Sequence, residues 1–183
     1  ITSDQSVLVP FNGTALRANQ DCYWKVRVAD KDGRATAWSE AARFSMGLLQ
    51  PSDWKGSWIK HPDAPKESHI WYRRSFNIDK INTAFMHVAS MGYHELYING
   101  RKADNRVLAP LLTRIDKRVM YVTYDIASLL HKGKNTIAIW YGPGWSRNEF
   151  FGRTIFPSLR AQLNAGDFVL ATDASWKCQV SSS

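Results

Sequence analysis

The chain has 183 residues, 44% of them hydrophobic and 22% charged, with a formal net charge of +8 at pH 7. That is the composition of an ordinary globular protein, and no apolar run approaches the ~20 residues a membrane-spanning helix needs. Basic residues are spread out apart from pairs such as Arg73-Arg74 and Lys117-Arg118. No nucleic-acid motif accompanies them, so the charge reads as solvated surface or as attraction for an acidic ligand.

In chain order, "CYWKVRVAD" alternates Tyr23, Lys25 and Arg27 against Trp24, Val26 and Val28, and "AWSEAARFSM" follows the turn "KDGRAT". Period-two alternation around an Asp-Gly turn predicts a hairpin. So few strands cannot close a sandwich. Residues 1–46 are therefore expected to be the C-terminal part of a β-sandwich domain, and the chain to be a fragment. Cys22 lies in this hairpin, far from Cys178, and both read as reduced packing residues. Residues 47–58, "GLLQPSDWKGSW", form a linker in which Ser52 or Asp53 makes a turn bond. Trp54 and Trp58 are expected to plug a seam between domains.

Residues 59–183 form the second predicted domain. Strand signals recur at "SWIKH", "HIWYRRSFNI", "NTAFMHVAS", "YHELYING", "VMYVTYD", "NTIAIWYG", "SLRAQLN", "DFVLATD" and "SWKCQV". Turns are expected at Met91-Gly92, Asn99-Gly100, Lys132-Gly133 and Ala165-Gly166. Many short strands with frequent turns, and eight tryptophans, predict an all-β sandwich or barrel. One short helix is predicted over "DIASLLHKG", capped by Asp125 and ended by Gly133. Five histidines show no zinc spacing.

The segment "ELYINGRKADNRVLAP" holds the candidate site. Asn99-Gly100 is the preferred pair for a two-residue turn, with Leu96 and Ile98 facing the core on the way in. Asp104-Asn105 interrupts the returning chain, Val107-Leu108 resumes the apolar pattern, and Pro110 limits pairing. The pair thus falls at a sheet end or edge. A carboxylate and an amide carbonyl are hard oxygen donors, suited to calcium and poor for zinc. They are equally the residues of a local Asx turn. A calcium ion takes about six to eight oxygens, so two side chains are not a complete site.

"YWKVRVADKDGRATAWSEAARFSMGLLQPSDWKGSWI", "HELYINGRKADNRVLAP", "KRVMYVTYDIASLLHKGKNTIAIWYGPGW" and "LRAQLNAGDFVLATDASWK" resemble bacterial α-L-rhamnosidases of glycoside hydrolase family 78. The resemblance implies a partial immunoglobulin- or fibronectin-III-like sandwich, then the rhamnosidase N-terminal domain, a galactose-binding-like jelly-roll β-sandwich. In the family this sandwich includes a rhamnose-binding module, carbohydrate-binding module family 67, which holds the sugar through Ca²⁺. An adjacent Asp-Asn pair supplies side-chain ligands there. Carried onto this chain, the metal ligands are Asp104 and Asn105, with further oxygens expected from the 148–157 loop, which looks shorter than in many relatives. Trp145, Arg147 and Asn148 join them as sugar-binding candidates; Trp145 reads equally as a residue closing the sandwich mouth, and Phe150 and Phe151 as packing residues.

Glycoside hydrolysis normally uses two carboxyl groups flanking the bond. No acidic residue here sits on an apolar stretch that would raise its pKa for acid work. In the resembled family the catalytic carboxylates lie in a downstream α/α-barrel. The expectation is an inactive accessory region of an inverting rhamnosidase, working on L-rhamnose-containing, including pectic, polysaccharides beside its own catalytic barrel. A bacterial periplasmic or extracellular parent is implied. A purely structural domain that packs on the barrel and binds nothing is the alternative.

Overall fold

The computed structural model describes residues 1–5, 7–144 and 158–182. The chain divides into two compact units, Ile1–Asp53 and Trp54–Ser183.

In the first unit, β1 (Asp21–Trp24) and β2 (Ala42–Ser45) pair antiparallel, with Asp21 opposite Ser45 and Trp24 opposite Ala42. The hairpin continues as a looser ladder through Ser39 N–H to Val26 O, Thr36 N–H to Val28 O and Asp30 N–H to Arg34 O. At its tip Gly33 takes φ +80°, and Asp30 Oδ1 accepts the N–H groups of Asp32 and Arg34. The expected Asp-Gly turn is present, but the regular strands are shorter than the alternation predicts. The reason is chemical. Ser39 Oγ and Thr36 Oγ1 accept from Val26 N–H and Val28 N–H, which a regular ladder would give to carbonyls. In the linker, Asp53 makes the expected turn bonds, accepting from Leu49 N–H and Gln50 N–H at the 3₁₀ turn Pro51–Asp53.

The second unit is a sandwich of two antiparallel sheets. Its strands are β3 (Ile70–Ile78), β4 (Phe85–Ser90), β5 (Tyr93–Ile98), β6 (Arg101–Lys102), β7 (Tyr121–Asp125), β8 (Gly133–Gly142), β9 (Leu159–Ala165), β10 (Phe168–Ala171) and β11 (Lys177–Val180). One sheet runs β10-β9-β4-β7 and the other β11-β3-β8-β5-β6. This is the all-β sandwich expected. Alternation places the core: Ile70, Tyr72, Phe76 and Ile78 of β3, Leu96 and Ile98 of β5, and Ile137, Ile139 and Tyr141 of β8 point inward. They meet Met86 and Val88 of β4, Tyr124 of β7, and Leu159, Ala161 and Leu163 of β9. Burying a large aliphatic or aromatic side chain stabilises by roughly 1.5–3 kcal/mol, so these strands hold the unit together.

β4 is buried on both faces. Trp54 covers its outer side, edge-on to Tyr121 at 5.5 Å and His87 at 6.4 Å, with the Arg160 guanidinium 4.9 Å from the ring. Trp54 thus has a packing role inside the second unit, while Trp58 is exposed. Two further expectations are corrected. "SWIKH" makes only an isolated bridge, Ile59 to Leu159, because Ser57 N–H bonds to Thr172 O instead of extending the pairing along β9. "DIASLLHKG" forms a single 3₁₀ turn, Ala127–Leu129. Asp125 Oδ1 does accept Ala127 N–H, but the side chain of Asn135 takes the groups a longer helix would need. Its Oδ1 accepts His131 N–H, its Nδ2 donates to His131 O, and Gly133 (φ +94°) opens β8.

Candidate functional site

The site is aimed by the β5–β6 hairpin. Asn99 and Gly100 take φ +52° and +82°, the left-handed pair a tight two-residue turn requires. Asn99 is also tied down by its side chain, which donates to Leu129 O and Asn135 Oδ1 and accepts from Thr136 N–H. After β6 the chain turns back alongside β5: Ala103 N–H donates to Leu96 O, and Ala109 O accepts His94 N–H. Residues 104–108 therefore form an irregular strip on the free edge of the five-stranded sheet, as the sequence implied.

Within the strip, Asp104 is half-buried and Asn105 exposed. Asp104 Oδ1 accepts Arg106 N–H at 3.0 Å, an Asx turn, and Oδ2 pairs with Arg106 Nε. The Arg106 guanidinium lies 4.8 Å from the Tyr124 ring, and Nη2 reaches Thr123 O at 3.5 Å. β5 and β7 belong to different sheets, so Arg106 spans the open seam of the sandwich. Val107 and Leu108 do not resume a buried apolar pattern. They are 69% and 66% exposed, and Leu108 takes φ +55°, which no regular strand residue adopts.

Beneath the strip lies His94, which sequence reading missed. Its Nδ1 is 2.8 Å from Ser90 Oγ and its Nε2 3.1 Å from Tyr124 Oη. Burial pushes its pKa down to about 3; the Arg106 charge adds to that and Asp104 opposes it. A neutral imidazole thus bridges β4, β5 and β7 under the Asp104–Arg106 pair. The signal was available: His94 occupies the inward register of Leu96 and Ile98. Beside it, Ser90, Met91, Gly92 and Pro110 line a cavity of about 20 Å³, room for about one water and too small for a sugar ring. A sugar at this edge would sit on the open surface.

The donor set fits calcium in kind: one carboxylate and one amide carbonyl, adjacent, on an exposed edge. Asp104 currently serves Arg106, so the Asx-turn reading and the ligand reading meet on the same oxygens. Among the described residues no group of three or more His, Cys, Asp or Glu is placed to hold a metal ion. Trp145, Arg147 and Asn148, with the rest of 145–157, lie outside the described residues. The structure therefore brings together two of the five candidates, Asp104 and Asn105.

A two-sheet antiparallel sandwich with its polar donors on an edge loop defines a β-sandwich module. The model of the alpha-L-rhamnosidase N-terminal domain matches residues 79–183, and that of the Rha78A-like N-terminal immunoglobulin domain matches residues 1–50. The chain belongs to the alpha-L-rhamnosidase N-terminal domain family. It is 31% identical to an alpha-L-rhamnosidase of Formosa agariphila over 85% of this chain and 18% of that protein. The structure of the alpha-L-rhamnosidase from Dictyoglumus thermophilum superimposes with a TM-score of 0.85 at 30% identity, covering 94% of this chain and 22% of the other. That from Aspergillus terreus does so with a TM-score of 0.84 at 29% identity, covering 97% and 23%. The chain spans about a fifth of the length of these relatives and corresponds to their N-terminal β-sandwich region, apart from the catalytic part.

Proposed function

We propose that this region is an accessory module that holds L-rhamnose at the 104–105 edge, with Ca²⁺ gripped by Asp104 and Asn105. A bound calcium ion would supply a hard Lewis-acid centre for vicinal sugar hydroxyls. The reading is carried by one observation: a carboxylate and an amide carbonyl stand side by side on the exposed free edge of the sandwich, in a chain of this family. His94 and Tyr124 keep the strip in place, and Arg106 holds the Asp104 carboxylate oriented. The parent protein is then an inverting α-L-rhamnosidase acting on rhamnose-containing polysaccharides, pectic ones included, and this region delivers or retains the substrate near the catalytic barrel.

Calorimetric titration of the chain with L-rhamnose, in millimolar Ca²⁺ and again in EDTA, tests the module. Heat that disappears on chelation is the expected result. The purified chain should release no chromophore from an aryl α-L-rhamnoside; release would place catalytic groups inside it.

A further inference from the structure

The outer face of the five-stranded sheet carries a row of aromatic rings. Trp71 of β3 and Trp140 of β8 are register neighbours. Their ring centroids lie 6.3 Å apart, Tyr97 stands 5.4 Å from Trp71, and His69 stacks on Trp140 at 5.2 Å. All four rings are half-exposed. An outward sheet face in water ordinarily carries polar side chains, so a connected aromatic row there is not required by the core. One register step along, Lys177 of β11 pairs with Arg73 of β3, and both are exposed. The carboxylate of Glu95 beside Trp140 is spent locally: Lys102 Nζ lies 2.5 Å from it and the Tyr97 hydroxyl donates to it at 2.7 Å. The face therefore offers flat apolar rings flanked by exposed cations, Arg73 and Lys177, which form no ion pair among the described residues.

Aromatic faces accept the apolar C–H face of a pyranose, and guanidinium and ammonium groups pair with carboxylates. We propose that this sheet face is a second glycan-contact surface, which takes a uronate-containing polysaccharide with sugar rings on Trp71 and Trp140 and carboxylates on Arg73 and Lys177. It is separate from the rhamnose edge and does not depend on it. The net charge of +8 acts in the same direction, drawing an acidic polymer toward the chain.

The test is titration of the whole chain with polygalacturonate, an acidic polymer without rhamnose, with dextran and dextran sulfate as controls. Binding of polygalacturonate and not dextran is expected, weakening between about 0.02 and about 0.3 M salt. Trp140→Ala should weaken it about fivefold or more. Because Trp140 is half-buried, Arg73→Gln combined with Lys177→Gln, both at exposed positions, provides a second variant; it should weaken binding comparably at an unchanged melting temperature. Asp104→Ala should leave polygalacturonate binding intact. The proposal is overturned by no binding, by dextran sulfate binding as tightly with Trp140→Ala indifferent for both polymers, or by loss of binding in Asp104→Ala.

Discussion

Asp104 serves the structure and the proposed ligand with the same two oxygens. Its ion pair with Arg106 is partly exposed, and such pairs contribute about 0–1 kcal/mol. Asp104→Ala should therefore lower stability by at most about 1 kcal/mol in urea denaturation, while abolishing calcium-dependent heat with L-rhamnose. A large stability loss would mean that the binding result reports unfolding instead. His94 and His87 give a second expectation at this scale. Burial lowers their pKa values to about 3 and about 4, from an ordinary 6.5. Between those values and 6.5 the unfolded chain takes up protons that the folded chain refuses. Stability is then full above about pH 6.5 and falls as pH drops toward 4, by up to about 1.4 kcal/mol per pH unit for each histidine. Melting curves at several pH values check this; His87→Gln should flatten the slope, and a flat profile in the unsubstituted protein would contradict it. The Asp104-Asn105 pair was visible from residue type alone. Arg106 as its partner was not, because the pairing matters through Tyr124 and Thr123 on a strand of the other sheet.

At the scale of elements, the strands were legible because alternation and turn residues agree. Asn99-Gly100 shows why: the same two residues meet the dihedral demand of the turn and, through the Asn99 side chain, pin β8 beside it. Gly100→Ala should cost about 1 kcal/mol, from the positive φ alone, since nothing crowds the added carbon. Asn135 is the less obvious support. It is 1% exposed and bonds to His131, Gly133 and Asn99. Asn135→Ala leaves several of those groups unpaired and should cost on the order of 2 kcal/mol or more, read from the urea midpoint. The same residue explains the mistaken helix. "DIASLLHKG" has a capping residue and a terminating glycine, but Asn135 captures His131 from five residues beyond Leu130 and ends the turn early. The Met91-Gly92 turn is constrained differently. A methyl group on Gly92 would fall 2.3 Å from Gly142 O and 2.7 Å from Pro143 O, so the β4–β5 connection lies against the end of β8. Side-chain captures and close backbone approaches of this kind leave no period in the sequence.

For the whole molecule, the two-sheet architecture follows from the number of half-buried strands, and the tryptophan content reports how the outer faces are furnished. Trp54 seals one sheet over His87, while Trp71 and Trp140 decorate the other in the half-open. Sequence alone cannot divide such rings between packing and binding, since both uses select large flat apolar groups. Family membership fixes where this chain stands in relatives about five times its length. The most direct measurement is the calorimetric titration with L-rhamnose. The account predicts saturable heat in millimolar Ca²⁺, its loss in EDTA and in Asp104→Ala, and a melting temperature raised by sugar and calcium together. Absence of heat at millimolar Ca²⁺ with an unchanged melting temperature would contradict it and leave the sandwich as a structural domain.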